Sequence, residues 1–473
     1  MDIKINLNDL TYRYEVYQIF NIFYTFDNLI FVENDADYKV KIEDEINLQH
    51  DDIVYNYKIK DENKKEEIKR EVFKFLKNVT KDNYPWGTLV GIRPSKIALK
   101  LLEQGKTESE VINYFNDTYL ASEEKAKLCI EVAKNESKFV NRDEKKVSIY
   151  IGMPFCPTRC LYCSFAANPI AGCKKIVDPY LDALYKEIDS ISKYVKEKKL
   201  KIETVYFGGG TPTSVSNEQF HDVMQRVYTS FVEYNSVKEF TVECGRPDSI
   251  TEEKLNTMKK FNVTRISINP QSMNEDTMKV IGRGHTPEDI KEKFLLARRL
   301  GFDNINMDII VGLPNETIKH IENTCREIEK LSPDSLTIHG LSIKRASRLH
   351  ENIVLKHEVS IAKQEELVNM YKMTGDLARK LNMTPYYMYR QKNMVGNMEN
   401  LGYSIKGKEC VYNIEMIEDT QSIIALGADA VSKIVFLEES RIERFGNVKD
   451  VREYINRIDE MIQRKIELLN SLY

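Results

Sequence analysis

From residue 147 onward, short runs of β-branched and aromatic residues alternate with longer, charged segments of helical period. The runs fall at 147–155, 204–207, 239–243, 265–269, 304–311 and 335–339, and between them lie helical patterns at 178–198, 217–232, 251–261, 287–300 and 316–331. Helix-end chemistry supports the reading. Thr286 followed by Pro287, Glu288 and Asp289 makes an N-cap with an acidic first turn, and Gly301 stops that helix after Leu300. Strands that alternate with helices pair in parallel, because each right-handed crossover needs a helix. The sheet is either open and doubly wound or curled into a barrel, and in both cases the chemistry collects at the carboxyl ends of the strands. Residues just after each run are therefore the ones to inspect.

The flanks read differently. Residues 1–145 mix a short strand, an aromatic helix at 12–26, two further strands and several helices, with a charged loop or helix face at 58–70. After 345 come a long helix at 360–381, an aromatic strand at 386–390, a polar β-like stretch at 403–415 and an amphipathic helix at 448–469. The domains expected are an α+β region of unknown role (1–145), the β/α region (146–345) and a capping region on the substrate side (346–473). The 69 basic and 73 acidic side chains nearly cancel, leaving −4, which is not the field of a nucleic-acid binder. The opening MDIKINLNDL lacks the apolar core of a signal peptide, and no stretch nears 18 uninterrupted apolar residues. A soluble, cytoplasmic protein without a membrane span is expected.

Eight cysteines are too few for a disulfide scaffold, and three of them, Cys156, Cys160 and Cys163, cluster directly after the first run in GMPFCPTRCLYCSF. Three thiolates on one loop can hold a metal or cluster while leaving one coordination position open. A structural zinc or a ferredoxin-type cluster calls for a fourth ligand, and no second Cys-x2-Cys or His pair follows downstream. The second run ends in Gly208-Gly209-Gly210-Thr211-Pro212-Thr213, where the missing Cβ atoms let backbone approach a ligand. Glu243 ends the third run, Gln271 follows the fourth, Arg283 lies in IGRGH and Asp308 lies within the fifth. Carboxylates on buried strands need partners, and ion pairing of Glu243 and Asp308 with Arg283 or Arg265 is the structural alternative to a ligand role.

These motifs resemble the radical S-adenosylmethionine (SAM) superfamily, and within it the oxygen-independent coproporphyrinogen III oxidase group. The resemblance covers about residues 147–345. PWGTLVGIRPSK at 85–96 and PYYMYRQKNMVGN at 385–397 are similar to the HemZ-type coproporphyrinogen dehydrogenase branch. The resemblance implies an α/β fold: a partial (β/α)6 TIM-like radical SAM barrel with an α+β N-terminal domain and an α/β C-terminal extension. It implies a [4Fe–4S] cluster held by Cys156, Cys160 and Cys163, with SAM chelating the fourth iron. Cleavage of SAM then yields a 5′-deoxyadenosyl radical. By the same resemblance Tyr150, Tyr162, Gly209, Gly210, Thr211, Glu243, Gln271, Arg283 and Asp308 line the SAM pocket. The implied activity is oxidative decarboxylation of coproporphyrinogen III propionates to vinyl groups, with an unidentified electron donor and no catalytic residue assigned. The chain departs from the main oxidases at Phe165, where they carry a fourth cysteine, and at Gly152, where they carry a histidine. Trp86 is its sole tryptophan, so their C-terminal His-Asn-x-x-Tyr-Trp element is absent. Two alternatives stay open: a haem-binding or haem-delivery protein on the same barrel, and a radical SAM enzyme modifying another tetrapyrrole.

Propionate arms call for guanidinium or ammonium partners. Arg345 and Arg348, beside Lys344 after the sixth run, and Arg390, near Lys392, are the candidates, against the alternative of ordinary basic loops. His339 could touch substrate or serve the structure. Cys173 and Cys244 read as structural thiols, with Cys244 on the sheet face opposite Glu243.

Overall fold

The computed structural model describes the chain except residues 1, 26, 61, 62, 92, 164, 166, 344–346, 348, 350, 352–359, 392 and 393. The N-terminal strands β1 (Asp2–Leu7), β2 (Asn28–Phe31), β3 (Tyr38–Ile42), β4 (Glu45–His50) and β5 (Ile53–Lys58) form one sheet in the order β2-β1-β3-β4-β5. Helices α1 (Arg13–Phe23) and α2 (Lys64–Thr80) pack together and bury Val16, Ile19, Phe20, Ile68 and Val72 in that sheet's core. The charged 58–70 stretch thus becomes the start of α2, capped by Asn63 and tied to the sheet where Tyr57 donates to Glu67 at 2.8 Å. Helices α3 (Pro94–Glu103), α4 (Glu108–Tyr119) and α5 (Glu123–Glu136) follow.

The β/α alternation builds a parallel sheet of β6 (Lys146–Met153), β7 (Lys201–Gly209), β8 (Glu239–Gly245), β9 (Arg265–Ile268), β10 (Ile305–Val311) and β11 (Ser335–Gly340), each hydrogen-bonded to the next. The intervening helices are α6 (Ile170–Glu197), α7 (Asn217–Val227), α8 (Glu252–Lys260), α9 (Glu275–Val280), α10 (Pro287–Arg299) and α11 (Ile318–Leu331). Strand alternation separates the two faces. Val147, Ile149, Ile151, Val205, Phe207 and Val242 join the core shared with the helices. Tyr150, Tyr206, Glu243, Ser267, Asp308 and His339 point the other way, into the barrel interior.

The C-terminal region is α12 (Gln364–Lys380), β12 (Thr384–Tyr389), β13 (Asn400–Ser404), α13 (Val411–Glu418), β14 (Ser422–Leu426), β15 (Val431–Phe436), β16 (Arg441–Gly446), α14 (Val451–Asn456) and α15 (Ile458–Asn470). It extends the barrel sheet at both edges. β13 pairs antiparallel with β11, whereas β14 pairs parallel with β6 and continues into the antiparallel β15 and β16. The full order is β12-β13-β11-β10-β9-β8-β7-β6-β14-β15-β16.

Three expectations need correction. Four strands, β2 to β5, rather than two follow α1 in the N-terminal region. The polar stretch at 403–415 is strand only to Ser404, and Val411–Glu418 is helical. Gly407, at φ +86°, lies in the turn that follows, and the Glu239 carboxylate of β8 accepts from Val411 N at 2.6 Å and Tyr412 N at 3.4 Å, capping the helix from another element. The terminal helix is broken at Arg457 into α14 and α15.

Candidate active site

The cysteine loop leaves the carboxyl end of β6. Its ends are tied together where Phe155–Cys156 pairs with Asn168–Pro169 and Asn168 bonds to Pro154 O. Leu161 N donates to Ile281 O at 2.9 Å and Thr158 Oγ1 to Gly282 O at 3.0 Å, which binds the loop to the segment after α9. Cys156 is buried, Cys160 and Cys163 are half-buried, and none is in a disulfide. The glycine turn lies against this loop. Gly210 N donates to Met153 O at 2.6 Å and Thr211 N to Phe155 O at 2.8 Å, while Thr211 Oγ1 is 3.4 Å from Cys156 Sγ. A Cβ on Gly210 would lie 2.7 Å from Phe155 O and 3.0 Å from Cys156 Sγ, so only glycine lets the two loops meet.

Beside these loops opens a chamber of about 520 Å³. One wall is aromatic: the rings of Tyr206 and Tyr412 stack at 4.5 Å, with Tyr150 6.2 Å from Tyr412, and Tyr387 and Tyr389 also line the space. The other wall is ionisable. Burial first, then the charge of Asp308, pushes Glu243 up to about 7. Burial alone would raise Asp308, but hydrogen bonds from His339 and Asn306 hold it below the usual range. Its Oδ2 lies 3.6 Å from His339 Nε2, and Asn306 Nδ2 donates to its Oδ1 at 2.7 Å. His339 is raised in turn, because Asp308 outweighs the opposing effect of burial. Ser267 Oγ, Asn269 Oδ1 and Gln271 Oε1, at or after the end of β9, are buried polar atoms without a hydrogen-bond partner. Such atoms call for a ligand or water.

Residues 150–328 match the radical SAM superfamily model. Over 419 residues the chain is 41% identical to the oxygen-independent coproporphyrinogen-III oxidase-like protein HemZ of Bacillus subtilis, covering 85% of this chain and 83% of that one. The chain belongs to this radical SAM family. The heme chaperone HemW of Bacillus subtilis is 33% identical over 226 residues, 48% of this chain and 58% of its own. In fold the chain is similar to the Escherichia coli coproporphyrinogen III oxidase HemN, a radical SAM enzyme, at a TM-score of 0.53 and 20% identity over 72% of this chain and 73% of that one.

A radical SAM enzyme uses a [4Fe–4S] cluster and SAM, and the donor set fits them. Among the described residues no three His, Cys, Asp or Glu side chains converge on a single metal ion. A cubane instead asks for thiols spread over separate irons, as a loop with Cys-x3-Cys-x2-Cys spacing can supply. The orphaned oxygens after β9 and the Cβ-free turn after β7 lie at the carboxyl ends of neighbouring strands, where SAM would need polar partners.

Of the candidates drawn from sequence, Tyr150, Gly209, Gly210, Glu243 and Asp308 line the chamber. Thr211 touches Cys156, and Tyr162 lies against Cys160 and Arg283. Gln271 adopts φ +65° and bridges to β10 through Asp308 O and Ile310 N at 2.9 Å each. The expected alternative of ion pairs does not form: Arg283 donates to Pro270 O at 3.1 Å and Arg265 to Ser335 Oγ at 3.1 Å, while Asp308 pairs with His339. Cys244 packs at 3.8 Å from Met258 on the helix side of the sheet.

Arg390 is a correction. Its guanidinium is buried 4.7 Å over the Trp86 ring and donates to the carbonyls of Leu89 and Asn397, outside the chamber. It clamps 385–397 to 85–96, and Trp86 Nε1 completes the contact by donating to Glu399 at 2.7 Å. Arg345, Arg348, Lys344 and Lys392 lie outside the described residues.

Sequence reading missed Arg246 and the last hairpin. Arg246 Nη1 lies 3.8 Å from Cys160 Sγ and 2.9 Å from Thr158 Oγ1, and Asp248 fixes the guanidinium through two bonds at 2.9 and 2.8 Å. The signal was present, since Arg246 directly follows the third strand. The β14–β16 hairpin brings Ala428, Asp429, Val431, Lys433 and Arg444 to the chamber wall, and no motif marks it.

Proposed function

We propose that this radical SAM enzyme oxidatively decarboxylates coproporphyrinogen III, converting propionate side chains to vinyl groups. The observation that carries the reading is a stacked-tyrosine chamber of about 520 Å³ opening beside the cysteine loop and the glycine turn. Its volume falls within the range for small-molecule sites, and its aromatic wall suits a large ring. Cys156, Cys160 and Cys163 would hold the cluster. The glycine turn, Glu243, Gln271 and Asp308 would hold SAM. When bound, the cluster and SAM would supply the hydrogen-abstracting radical, and the substrate radical would then lose carbon dioxide and one electron to a separate electron acceptor. The chain's own part is to orient the ring along the tyrosines, to keep Asp308 ionised against His339, and to screen the reacting carbon from water. A separate electron donor, a cytoplasmic setting and the absence of nucleic-acid partners belong to the same proposal; no described helix is long and apolar enough to cross a membrane.

The test is anaerobic: reconstituted protein, SAM, reductant and coproporphyrinogen III, with 5′-deoxyadenosine and porphyrin products followed by mass spectrometry. Substrate-dependent 5′-deoxyadenosine together with products lighter by carbon dioxide and two hydrogens is expected. Cleavage of SAM that ignores the tetrapyrrole would overturn the assignment. Replacing Cys156, Cys160 or Cys163 by Ala should abolish cluster absorbance, while Cys129→Ala and Cys325→Ala keep it.

A further inference from the structure

Two cations of the last hairpin line the chamber. Lys433 on β15 and Arg444 on β16 are directly paired in register, so both side chains share one sheet face. Like charges set opposite each other destabilise a sheet unless something counters them. Lys433 is countered: buried, it donates to Asp419 Oδ1 at 3.2 Å and to the carbonyls of Glu415 and Met416 at 3.0 and 2.9 Å. Asp419 is already shared, because Arg93 also ion-pairs with it. Asp429, the hairpin carboxylate that also lines the chamber, faces Lys449 at 3.8 Å. Deeper in the chamber Asp308 is committed to His339. Arg444 is exposed and has no carboxylate within ion-pair distance among the described residues.

We infer that Arg444 is the carboxylate-binding residue at the chamber mouth, taking an anionic arm of the substrate while the ring lies along the tyrosine wall. The assignment rests on the proposed tetrapyrrole reading and deepens it. Arginine suits the task because its planar fork binds both carboxylate oxygens. Arg444 also replaces Arg390 as the guanidinium that reaches the site.

The stable probe is coproporphyrin III, with four carboxylates, titrated against the reconstituted enzyme by porphyrin fluorescence. Its tetramethyl ester in the same detergent buffer serves as the uncharged comparison. Arg444→Ala should weaken coproporphyrin III binding by about tenfold to a hundredfold, the loss expected for one charge-assisted hydrogen-bond pair. Arg444→Lys should recover part of it. Arg452→Ala, which removes an exposed cation on α14 outside the chamber, should bind as the parent does. The ester should not distinguish Arg444→Ala from the parent. Equal binding of coproporphyrin III by Arg444→Ala and the parent would overturn the assignment while leaving the decarboxylase reading intact. So would an equal loss in Arg452→Ala, or an ester that loses as much. A parent enzyme that binds no porphyrin would overturn the tetrapyrrole reading as well.

Discussion

Glu187 on α6 decides whether the last hairpin stays docked on the barrel. Its carboxylate is fully buried and collects four donors from the C-terminal region: Gly427 N at 2.8 Å, Asn447 Nδ2 at 2.9 Å, Tyr454 OH at 2.6 Å and the Lys465 ammonium. Glu187→Gln keeps the shape and one acceptor oxygen but removes the charge, stranding a buried Lys465 whose other acceptor is Ala425 O. Breaking a buried pair from one side costs about 3–5 kcal/mol. The retained amide bonds place this change near the low end, at about 3 kcal/mol. A local opening constant would then rise by roughly a hundredfold. Hydrogen exchange read over 422–446 should show that increase, while iron content, set by a loop that does not touch Glu187, stays unchanged. Glu187→Gln/Lys465→Met should recover at least half the loss, since the stranded charge is gone. The pH dependence has a definite sign. Burial pushes Lys465 down from its usual value, so the folded state sheds that proton before the unfolded chain does. The deficit of Glu187→Gln should shrink as pH rises from 7 towards 10. Unchanged exchange in the single variant, or a double variant no better than the single, would refute the reasoning.

Gly210→Ala should fold yet hold substantially less iron after reconstitution, because the new methyl meets Phe155 O at 2.7 Å and Cys156 Sγ at 3.0 Å; iron and sulfide assays check this against the far-ultraviolet spectrum. Arg246→Gln should lower the cluster's reduction potential, since a cation 3.8 Å from Cys160 Sγ stabilises the more negative, reduced state; spectroelectrochemistry that finds no shift removes Arg246 from the site. Burial pushes Glu415 up to about 7, opposed by Ser148 and Thr204. A carboxyl raised in the folded state contributes stability that is full below its unfolded value and is lost as pH climbs through about 7. Glu415→Gln should therefore flatten the fall in stability between pH 5 and 8 by roughly 2.5 kcal/mol, at 1.36 kcal/mol per unit, measured by denaturant titration at each pH.

Much of the site was legible because its signals are local. The cysteine loop is held within eight residues, the glycine turn within six, and the position of each after a strand follows from the β/α rhythm alone. Strand alternation likewise set Cys244 on the face opposite Glu243, as the barrel has them. The partners of the interior carboxylates were not legible. Asp308 had Arg283 and Arg265 as plausible mates in sequence, but only the curl of the sheet sets β11 beside β10 with His339 facing it.

The composition of the strands and loops by itself determined the parallel sheet, the end of it that carries chemistry and the cysteines that gather there. Tertiary structure decided the chamber's walls. Residues 411–418 turn helical because Glu239, more than 170 positions earlier, caps them, and Arg390 becomes a clamp because Trp86 and the carbonyl of Leu89 reach it from a distant segment. The hairpin that carries Arg444 finds its place through β14 pairing with β6 across more than 270 residues. A helical or strand period extends over a few residues and specifies a face. It does not specify which distant face will close against it, because that choice is made by burial and hydrogen bonding only once the loop between them has closed.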